Sequence, residues 1–116
     1  MREIVTKGWG EEEIWVSNQH YASKFLRFKQ GGTSSMHFHK EKHEHWLVLS
    51  GKFEVTFILL TDGSRWSETL ENGSVMEIPP ILPHQVHCYE EGVILEVSTH
   101  DDPKDNYRIE PGDSQQ

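Results

Sequence analysis

Three potential metal ligands lie in one short stretch between two glycines, Gly31 and Gly51. The stretch reads GGTSSMHFHKEKHEHWLVLSG and contains His37, His39 and Glu44. Side chains two residues apart on an extended strand point to the same face, so the two imidazoles can reach one ion. Glu44 follows a polar turn, and a hairpin would bring its carboxylate opposite the pair. Two imidazoles and a carboxylate suit Zn, Mn, Fe, Co or Ni and leave coordination positions open.

Short runs of alternating apolar and polar residues make up most of the chain, and this period predicts β-strands. Turn signals such as Asp62-Gly63 separate the runs every 8–10 residues. Gly51-Lys52 and Glu90-Glu91-Gly92 are two further predicted turns, each joining a pair of strands. After a lead-in strand within residues 1–10, the predicted strands cover residues 12–18, 21–29, 45–50, 53–60, 65–70, 75–78, 85–89 and 93–98. Many short strands without a helical period predict an all-β barrel or jelly roll.

Length and charge restrict the classes of function. A chain of 116 residues predicts a single domain, here residues 1–110, followed by a flexible polar tail over residues 111–116. The formal net charge of −8, with no basic run, argues against binding to nucleic acid. The single cysteine, Cys88, cannot form an internal disulfide and favours a reducing compartment. With no signal peptide and no apolar run long enough to span a membrane, we expect a cytoplasmic protein.

The spacing of the candidate ligands resembles that of the cupin family. The first cupin motif, G-x5-H-x-H-x4-E-x6-G, is reproduced without a gap between Gly31 and Gly51. The second motif follows about 20 residues later, in the stretch GSVMEIPPILPH that ends at His84. The resemblance implies that His84 is a fourth ligand, beside His37, His39 and Glu44. It also implies a closed double-stranded β-helix, the cupin jelly-roll barrel, around one divalent ion.

Two positions depart from the second cupin motif. Ile81 stands where the family has a glycine, and Cys88 stands where the family has an asparagine. Neither is a ligand position, so the predicted metal site is unaffected. We expect the turn before His84 to differ locally from that of the family.

The chain also resembles the C-terminal domain of bacterial type II phosphomannose isomerases, a domain often fused to a mannose-phosphate guanylyltransferase. The likeness covers most of the chain from Trp9 to Arg108. The matching residues are Trp9, Gly10, Tyr21, Lys24, Lys29, Gly31, Ser35, His39, Glu44, His45, Trp46, Ser50, Gly51, Ile78, Pro79, Pro80, His84, Asp105 and Arg108. That family typically has glutamine at the position of His37, so this chain is closer here to cupins with three histidines and one glutamate.

This resemblance implies a metal-dependent enzyme acting on a sugar or sugar phosphate, most concretely an aldose–ketose isomerase. The ion would polarise the carbonyl, and a separate base would move a proton between adjacent carbons. Lys24, Lys42 and Glu77 are the candidate bases, and Lys24 and Arg108 are the candidates for binding phosphate or hydroxyls. Two alternatives stay open: an Fe-dependent dioxygenase, which three histidines and a glutamate also suit, and a non-enzymatic metal- and sugar-binding module.

Two further expectations concern the outer face of the barrel. His43 and His45 flank Glu44, and strand alternation turns both away from the predicted ion. Sheet edges in small barrels need covering, and pairing with a second copy is one solution. The outward apolar residues that predict a homodimer interface are Trp15, Phe25 and Leu47.

Overall fold

The computed structural model describes residues 2–113 and contains nine β-strands and no α-helix in that range. The strands are β1 (Glu3–Lys7), β2 (Gly10–Ser17), β3 (Tyr21–Phe28), β4 (Met36–Phe38), β5 (Glu44–Ile58), β6 (Arg65–Glu71), β7 (Val75–Ile78), β8 (His84–Thr99) and β9 (Tyr107–Glu110). The all-β prediction is confirmed. None of the described residues belongs to a helix that could cross a membrane.

Strand β3 shows how the alternating sequence produces the fold. Ala22, Lys24, Leu26 and Phe28 are buried on one face of this strand, as their period of two predicts. On the other face Arg27 is exposed. The inward position of Lys24 among apolar neighbours places a cation inside the barrel.

Two long strands, β5 and β8, form the centre of the sheet. They pair antiparallel from Glu44↔Ser98 at one end to Phe57↔His84 at the other, and the register shifts near the middle. The predicted turns at residues 51–52 and 90–92 are therefore wrong: each is a bend within a continuous strand. The predicted hairpin between residues 45–50 and 53–60 does not form, because both segments pair with β8 instead.

Because β5 and β8 bend, each of them contributes to two half-sheets that face each other. One half-sheet has the order β1-β2-β3-β8-β5-β7, and the other has the order β9-β4-β8-β5-β6. The jelly-roll fold is confirmed, but its predicted closure is not. No ladder joins β1 to β9 within residues 2–113, so the sheet is curled around the lumen and stays open on one side.

The apolar core lies between the half-sheets. The ring of Trp9 stacks on Phe28 with centroids 4.2 Å apart, and Phe28 meets Phe53 edge-on at 5.4 Å. The other buried members of the core are Leu26, Trp46, Val48, Val55, Phe57, Leu70, Met76, Ile78, Val86, Cys88 and Ile94. Polar side chains such as Lys24 occupy other inward positions on the same strands.

The first residues of the predicted flexible tail are held against the barrel. The Asp113 backbone N–H donates to Thr33 O at 2.7 Å, and the Thr33 N–H donates to Asp113 Oδ2 at 2.8 Å. A Cβ on Gly112 would lie 2.3 Å from Ser34 O, so only glycine fits this close approach. The flexible tail over residues 111–116 stays a prediction: residues 112 and 113 contact the barrel in this way, and residues 114–116 lie outside the described part of the chain.

Candidate metal centre

The structure brings the four predicted ligands together from three strands and one loop. His37 on β4 is the direct cross-strand partner of His84, the first residue of β8. One ring nitrogen from each of His37, His39 and His84 lies within 4.8 Å of the other two. Glu44 Oε2 is 3.4 Å from His39 Nε2 and 3.7 Å from His84 Nε2. Glu44 reaches the cluster from β5 across the lumen, because β4 and β5 do not pair as the predicted hairpin required.

Backbone carbonyls orient the three imidazoles. In each ring Nδ1 lies at hydrogen-bond distance from a carbonyl oxygen, which fixes the proton on Nδ1 and leaves Nε2 free to bind an ion. The acceptors are Ser35 O for His37 (3.0 Å), Asp105 O for His39 (2.6 Å) and Leu82 O for His84 (2.9 Å). The three rings are therefore oriented so that each presents Nε2 as a nitrogen donor.

Burial keeps two of these histidines neutral. Desolvation lowers the pKa of His84 to about 4 and lowers the pKa of His37 well below its ordinary value. A neutral imidazole is the form that binds metal, so no proton has to leave these rings at neutral pH.

Glu44 supplies a buried carboxylate whose charge is only partly compensated. Its Oε1 accepts a hydrogen bond from Trp46 Nε1 at 2.9 Å, whereas its Oε2 has no hydrogen-bond partner among the described residues. Desolvation raises the pKa of this carboxyl, but Lys42 and the other neighbouring groups together outweigh that effect and the net pKa is lowered. A buried anionic oxygen without a partner is costly. Facing the Nε2 atoms of His39 and His84, it completes, with His37, a donor set that fits a divalent first-row metal ion.

Asp105 holds in place the loop that connects His39 to the start of β5. Its carboxylate accepts hydrogen bonds from the backbone N–H groups of Lys40, Glu41 and Lys42 at 2.6–3.0 Å. Desolvation raises the pKa of Asp105, but these three donors outweigh it and lower the net pKa. Asp105 is one of the matches to the isomerase family, and its carbonyl also orients His39. The structure thus gives this matched residue a role in holding a ligand.

A network of buried charges lies beside the four ligands. Lys42 Nζ is 2.9 Å from Glu96 Oε2 and 3.3 Å from Asp101 Oδ1. Lys24 Nζ is 3.2 Å from Asp101 Oδ2, 3.6 Å from Glu12 Oε1 and 4.0 Å from Glu96 Oε2. Desolvation lowers the pKa of both lysines, but Glu96 is the main reason that each net pKa is raised. Both ammonium groups are protonated at neutral pH, so neither lysine suits the predicted role of a base.

Glu77 is not part of the cavity. It lies on the outer face of β7 because Met76 and Ile78, its neighbours in the strand, occupy the inward positions. Its carboxylate contacts His43 Nε2 at 2.7 Å. Its predicted role as a base does not fit this outward position. The sequence itself indicates the position, because Glu77 lies between two apolar residues, Met76 and Ile78, of an alternating strand.

Arg108 does face the predicted site. On β9 it is the cross-strand partner of His37, and it lines the cavity in front of the four ligands. No carboxylate in the described part of the chain lies within 4.0 Å of its guanidinium. Lys7, which the sequence analysis missed, lines the same cavity and is equally without an ion pair there.

The cavity has a volume of about 400 Å³, in the range of small-molecule sites. Six carboxylates and four cationic side chains line it. With neutral histidines, a bound divalent ion would bring the formal charge of the lining to zero. Sequence reasoning missed Glu96 and Asp101 in this lining. Glu96 had a detectable signal, since it shares a strand face with the core residue Ile94.

The family follows from a comparison with known proteins. The sequence profile of the cupin domain matches residues 24–100, more than half of the chain. The chain belongs to the cupin family. The profile spans all four candidate ligands and, in the buried charge network, Lys24, Lys42 and Glu96.

The names of two relatives of this cupin refer to a sugar phosphate or a polysaccharide. Mannose-1-phosphate guanylyltransferase of Klebsiella pneumoniae is 29% identical over 98 residues, which are 81% of this chain and 21% of the relative. Xanthan biosynthesis protein XanB of Xanthomonas campestris is 36% identical over 62 residues, 50% of this chain and 13% of the relative. The cupin thus spans about a fifth or less of either relative.

Solved structures show the same fold. The capsular polysaccharide assembling protein CapF of Staphylococcus aureus superposes with a TM-score of 0.80 at 20% identity, over 95% of this chain and 33% of that one. Oxalate decarboxylase of Bacillus subtilis gives 0.79 at 20% identity, over 93% and 30%. Identities this low establish the cupin fold alone.

Proposed function

We propose that this cupin is a metal-dependent enzyme acting on a sugar or sugar phosphate, most concretely an aldose–ketose isomerase. The observation that carries the proposal is a four-ligand centre opening onto a 400 Å³ cavity in which Arg108 is the cross-strand neighbour of His37. The partial likeness to mannose-1-phosphate guanylyltransferase supports a sugar phosphate as the substrate class.

His37, His39, Glu44 and His84 would hold the divalent ion, which is Zn, Mn, Fe, Co or Ni by the chemistry of this donor set. When bound, the ion supplies the Lewis acidity that polarises a substrate carbonyl. The rings are held by backbone carbonyls and Glu44 by Trp46, so the protein contributes a preformed site that needs little rearrangement.

Glu96 is the side chain that best fits proton transfer in this cavity. It lines the cavity, and Lys42 holds its carboxylate at 2.9 Å. Desolvation raises the pKa of Glu96, and the neighbouring Glu44 raises it further. A carboxyl with a raised pKa can take a proton from one carbon of the substrate and return it to the next near neutral pH. Isomerisation also moves a proton from the hydroxyl oxygen on one carbon to the carbonyl oxygen on the next, and the overall reaction involves no net oxidation or loss of atoms.

The anionic or hydroxyl-rich end of the substrate would bind at Arg108 and Lys7. Their charges are not matched by carboxylates in the described residues, and a guanidinium can bind a phosphate with two parallel hydrogen bonds. Lys24, predicted for this role, is already surrounded by Glu12, Glu96 and Asp101. We assign it to holding the buried network in place.

The deciding experiment is metal analysis of the purified protein followed by a panel of phosphorylated aldoses and ketoses. Turnover in air-free buffer with Zn or Mn is expected for the isomerase. Consumption of substrate only in the presence of oxygen would overturn the isomerase in favour of the Fe-dependent dioxygenase. Saturable binding without turnover in either condition would instead identify a non-enzymatic sugar-binding cupin.

Substitutions separate the metal from the substrate. His39→Ala should lose the ion, whereas Arg108→Ala should keep the ion and weaken binding of the phosphorylated sugar by about 10-fold or more, the usual effect of losing a charged hydrogen bond. Arg65→Ala is the matched control, because Arg65 is exposed and pairs with Glu110 outside the cavity. Unchanged affinity in Arg108→Ala would contradict the phosphosugar proposal while leaving the metal site standing.

The role of Glu96 has its own test. Glu96→Gln should retain the metal and the substrate affinity but lower kcat by about 100-fold or more, the usual contribution of a general base. Glu68→Gln, on the exposed strand β6, is the control and should not change kcat. A Glu96→Gln variant with wild-type kcat would exclude this carboxyl as the base.

A further inference from the structure

A second group of metal-binding side chains lies on the outer face of the barrel, back to back with Glu44. It consists of His43, His45 and Glu77, whose ligand atoms all lie within 4.8 Å of one another. We propose that these three residues form a second, exchangeable site for a divalent metal ion of the Zn, Co, Ni or Cu type. This proposal does not depend on the proposed function.

Strand pairing positions this outer cluster. His45 on β5 and Glu77 on β7 are direct cross-strand partners, so their side chains stand side by side on one face of the sheet. Glu77 Oε2 lies 2.7 Å from His43 Nε2. The imidazoles of His43 and His45 stack with centroids 5.4 Å apart and planes inclined by 19°, so that both rings stand on the same side of the sheet.

The backbone at His43 is fixed independently of any ion. The His43 N–H donates to Thr99 Oγ1 at 3.0 Å, and the Thr99 N–H donates to His43 O at 3.1 Å. The preceding loop is held by Asp105 through three backbone hydrogen bonds. The cluster is therefore built on paired strands and a clamped loop rather than on mobile side chains of a surface turn.

Alternation along the strand separates the two sites. Glu44 points into the lumen, and its neighbours His43 and His45 point outward, so three consecutive residues serve opposite faces of one sheet. Binding at the outer site leaves the inner ligands untouched. The two sites also differ in accessibility: Glu44 is 1% exposed, whereas the side chains of His43 and Glu77 are 38% and 58% exposed.

The chemistry of the outer cluster defines what it binds. Two imidazoles and one carboxylate favour first-row transition metals over Mg or Ca, which prefer oxygen ligands alone. Three protein ligands leave the remaining coordination positions to water or another solute. An ion at this exposed site exchanges readily, in contrast to an ion enclosed by the four buried ligands.

The test is isothermal titration of the full chain with Zn²⁺ after exhaustive removal of bound metal by a chelator. We expect two classes of site, one tight and one weaker, each close to one ion per chain. His45→Ala should weaken the second class at least tenfold and leave the first unchanged. His20→Ala, which removes an exposed histidine outside the cluster, should change neither class.

Two further variants make the result decisive. His39→Ala should lose the tight class and keep the weaker one, which shows that the two sites are separate even if the proposed function fails. Glu77→Gln should weaken the second class with the inner site unaffected, and Co²⁺ absorption spectra should lose the outer-site band in His45→Ala. A single class in the wild type, or a weaker class that persists in both His45→Ala and Glu77→Gln, would overturn the proposal.

Discussion

Ile81 adopts a left-handed backbone conformation, with a φ of 67°, in the turn that precedes His84. The replacement of the family's glycine by isoleucine predicted a local change in this turn. The chain instead keeps a conformation that favours glycine, and the Ile81 N–H donates to His39 O at 2.7 Å. A β-branched side chain is strained at positive φ. The turn that delivers His84 is therefore held at an energetic cost.

Replacing this residue by glycine should stabilise the protein. Ile81→Gly relieves a strain of about 1–3 kcal/mol and loses little burial, since Ile81 is 55% exposed. The greater freedom of glycine in the unfolded chain offsets part of the gain. We expect a net rise of about 1 kcal/mol in the free energy of unfolding, measured by urea denaturation of the metal-free protein.

Val75→Gly is the matched control for this substitution. Val75 is also an exposed aliphatic residue, 69% accessible, but it lies in strand β7 without a positive φ. Glycine there should destabilise the protein by about 0.5–1 kcal/mol. Equal destabilisation by both variants would contradict the strain at Ile81.

The depressed pKa of His84 predicts a pH dependence of stability in the metal-free protein. An unfolded histidine titrates at about 6.5, whereas burial lowers the folded pKa to about 4. Below the unfolded pKa the unfolded chain binds more protons than the folded chain. The free energy of unfolding should therefore fall as the pH drops from about 6.5 to about 4, by roughly 3 kcal/mol for this histidine.

Urea denaturation across that pH range measures the effect, and His84→Gln should flatten the profile. His37, whose pKa is also depressed, should account for much of the slope that remains. A wild-type profile that is flat between these pH values would show that His84 titrates normally in the folded protein.

The bends of β5 and β8 determine the geometry of the molecule at the level of its elements. Gly92 on β8 lies against the backbone of β5 at the bend: a Cβ on it would meet Ser50 O at 2.0 Å and Gly51 Cα at 2.5 Å. Gly51 has a φ of 90°. These two glycines allow the paired strands to bend together without parting, and the bend brings the half-sheets face to face.

Gly92→Ala should therefore be strongly destabilising. The added Cβ overlaps backbone atoms that cannot move without parting β5 from β8, and we expect a loss of about 3 kcal/mol or more. Gly63→Ala is the control: its φ is 75°, but no atom lies within 4 Å of the added Cβ, so only backbone strain of about 1 kcal/mol applies. Thermal unfolding of both variants compares them, and equal losses would exclude the steric explanation.

At the level of the whole molecule, the outer face of one half-sheet carries a continuous apolar row. Phe25, Leu95, Leu47 and Val75 are successive cross-strand partners over β3, β8, β5 and β7. Leu47 and Val75 are exposed, and Trp15 on β2 is also exposed, at 47%. An apolar surface of this kind favours association. The predicted homodimer stays a prediction, and this row is the surface that would form its interface.

Sedimentation at micromolar concentration tests the dimer. We expect a species of twice the chain mass of 13.5 kDa. Leu47→Glu should shift it to the monomer, because the charge would be buried between copies. Leu60→Glu, at an exposed leucine outside the row, should leave the dimer intact. A wild-type monomer would remove the homodimer from consideration.

Local patterns in the sequence were enough to predict most of the strand segments and three of the four ligands that the structure brings together. Alternation places Lys24 beside Leu26 and Phe28 on one face, and this depends only on the geometry of a single strand. The spacing of His37, His39 and Glu44 within one stretch has the same local character. His84 lies far away in the sequence and could be assigned only through the resemblance to a family motif.

The tertiary structure decided everything that depends on which strands pair and which charges become buried. Residues 44–58 have the same alternation whether they form a hairpin or one bent strand, and only the pairing with β8 distinguishes the two. Glu96 and Asp101 come within 4.0 Å of both Lys24 and Lys42 because the folded chain brings distant segments together. That proximity keeps both lysines protonated, so neither suits the role of a base. The candidate base is therefore Glu96 instead of Lys24 or Lys42. Coulombic energies depend on distance and burial, and neither quantity can be read from a linear sequence.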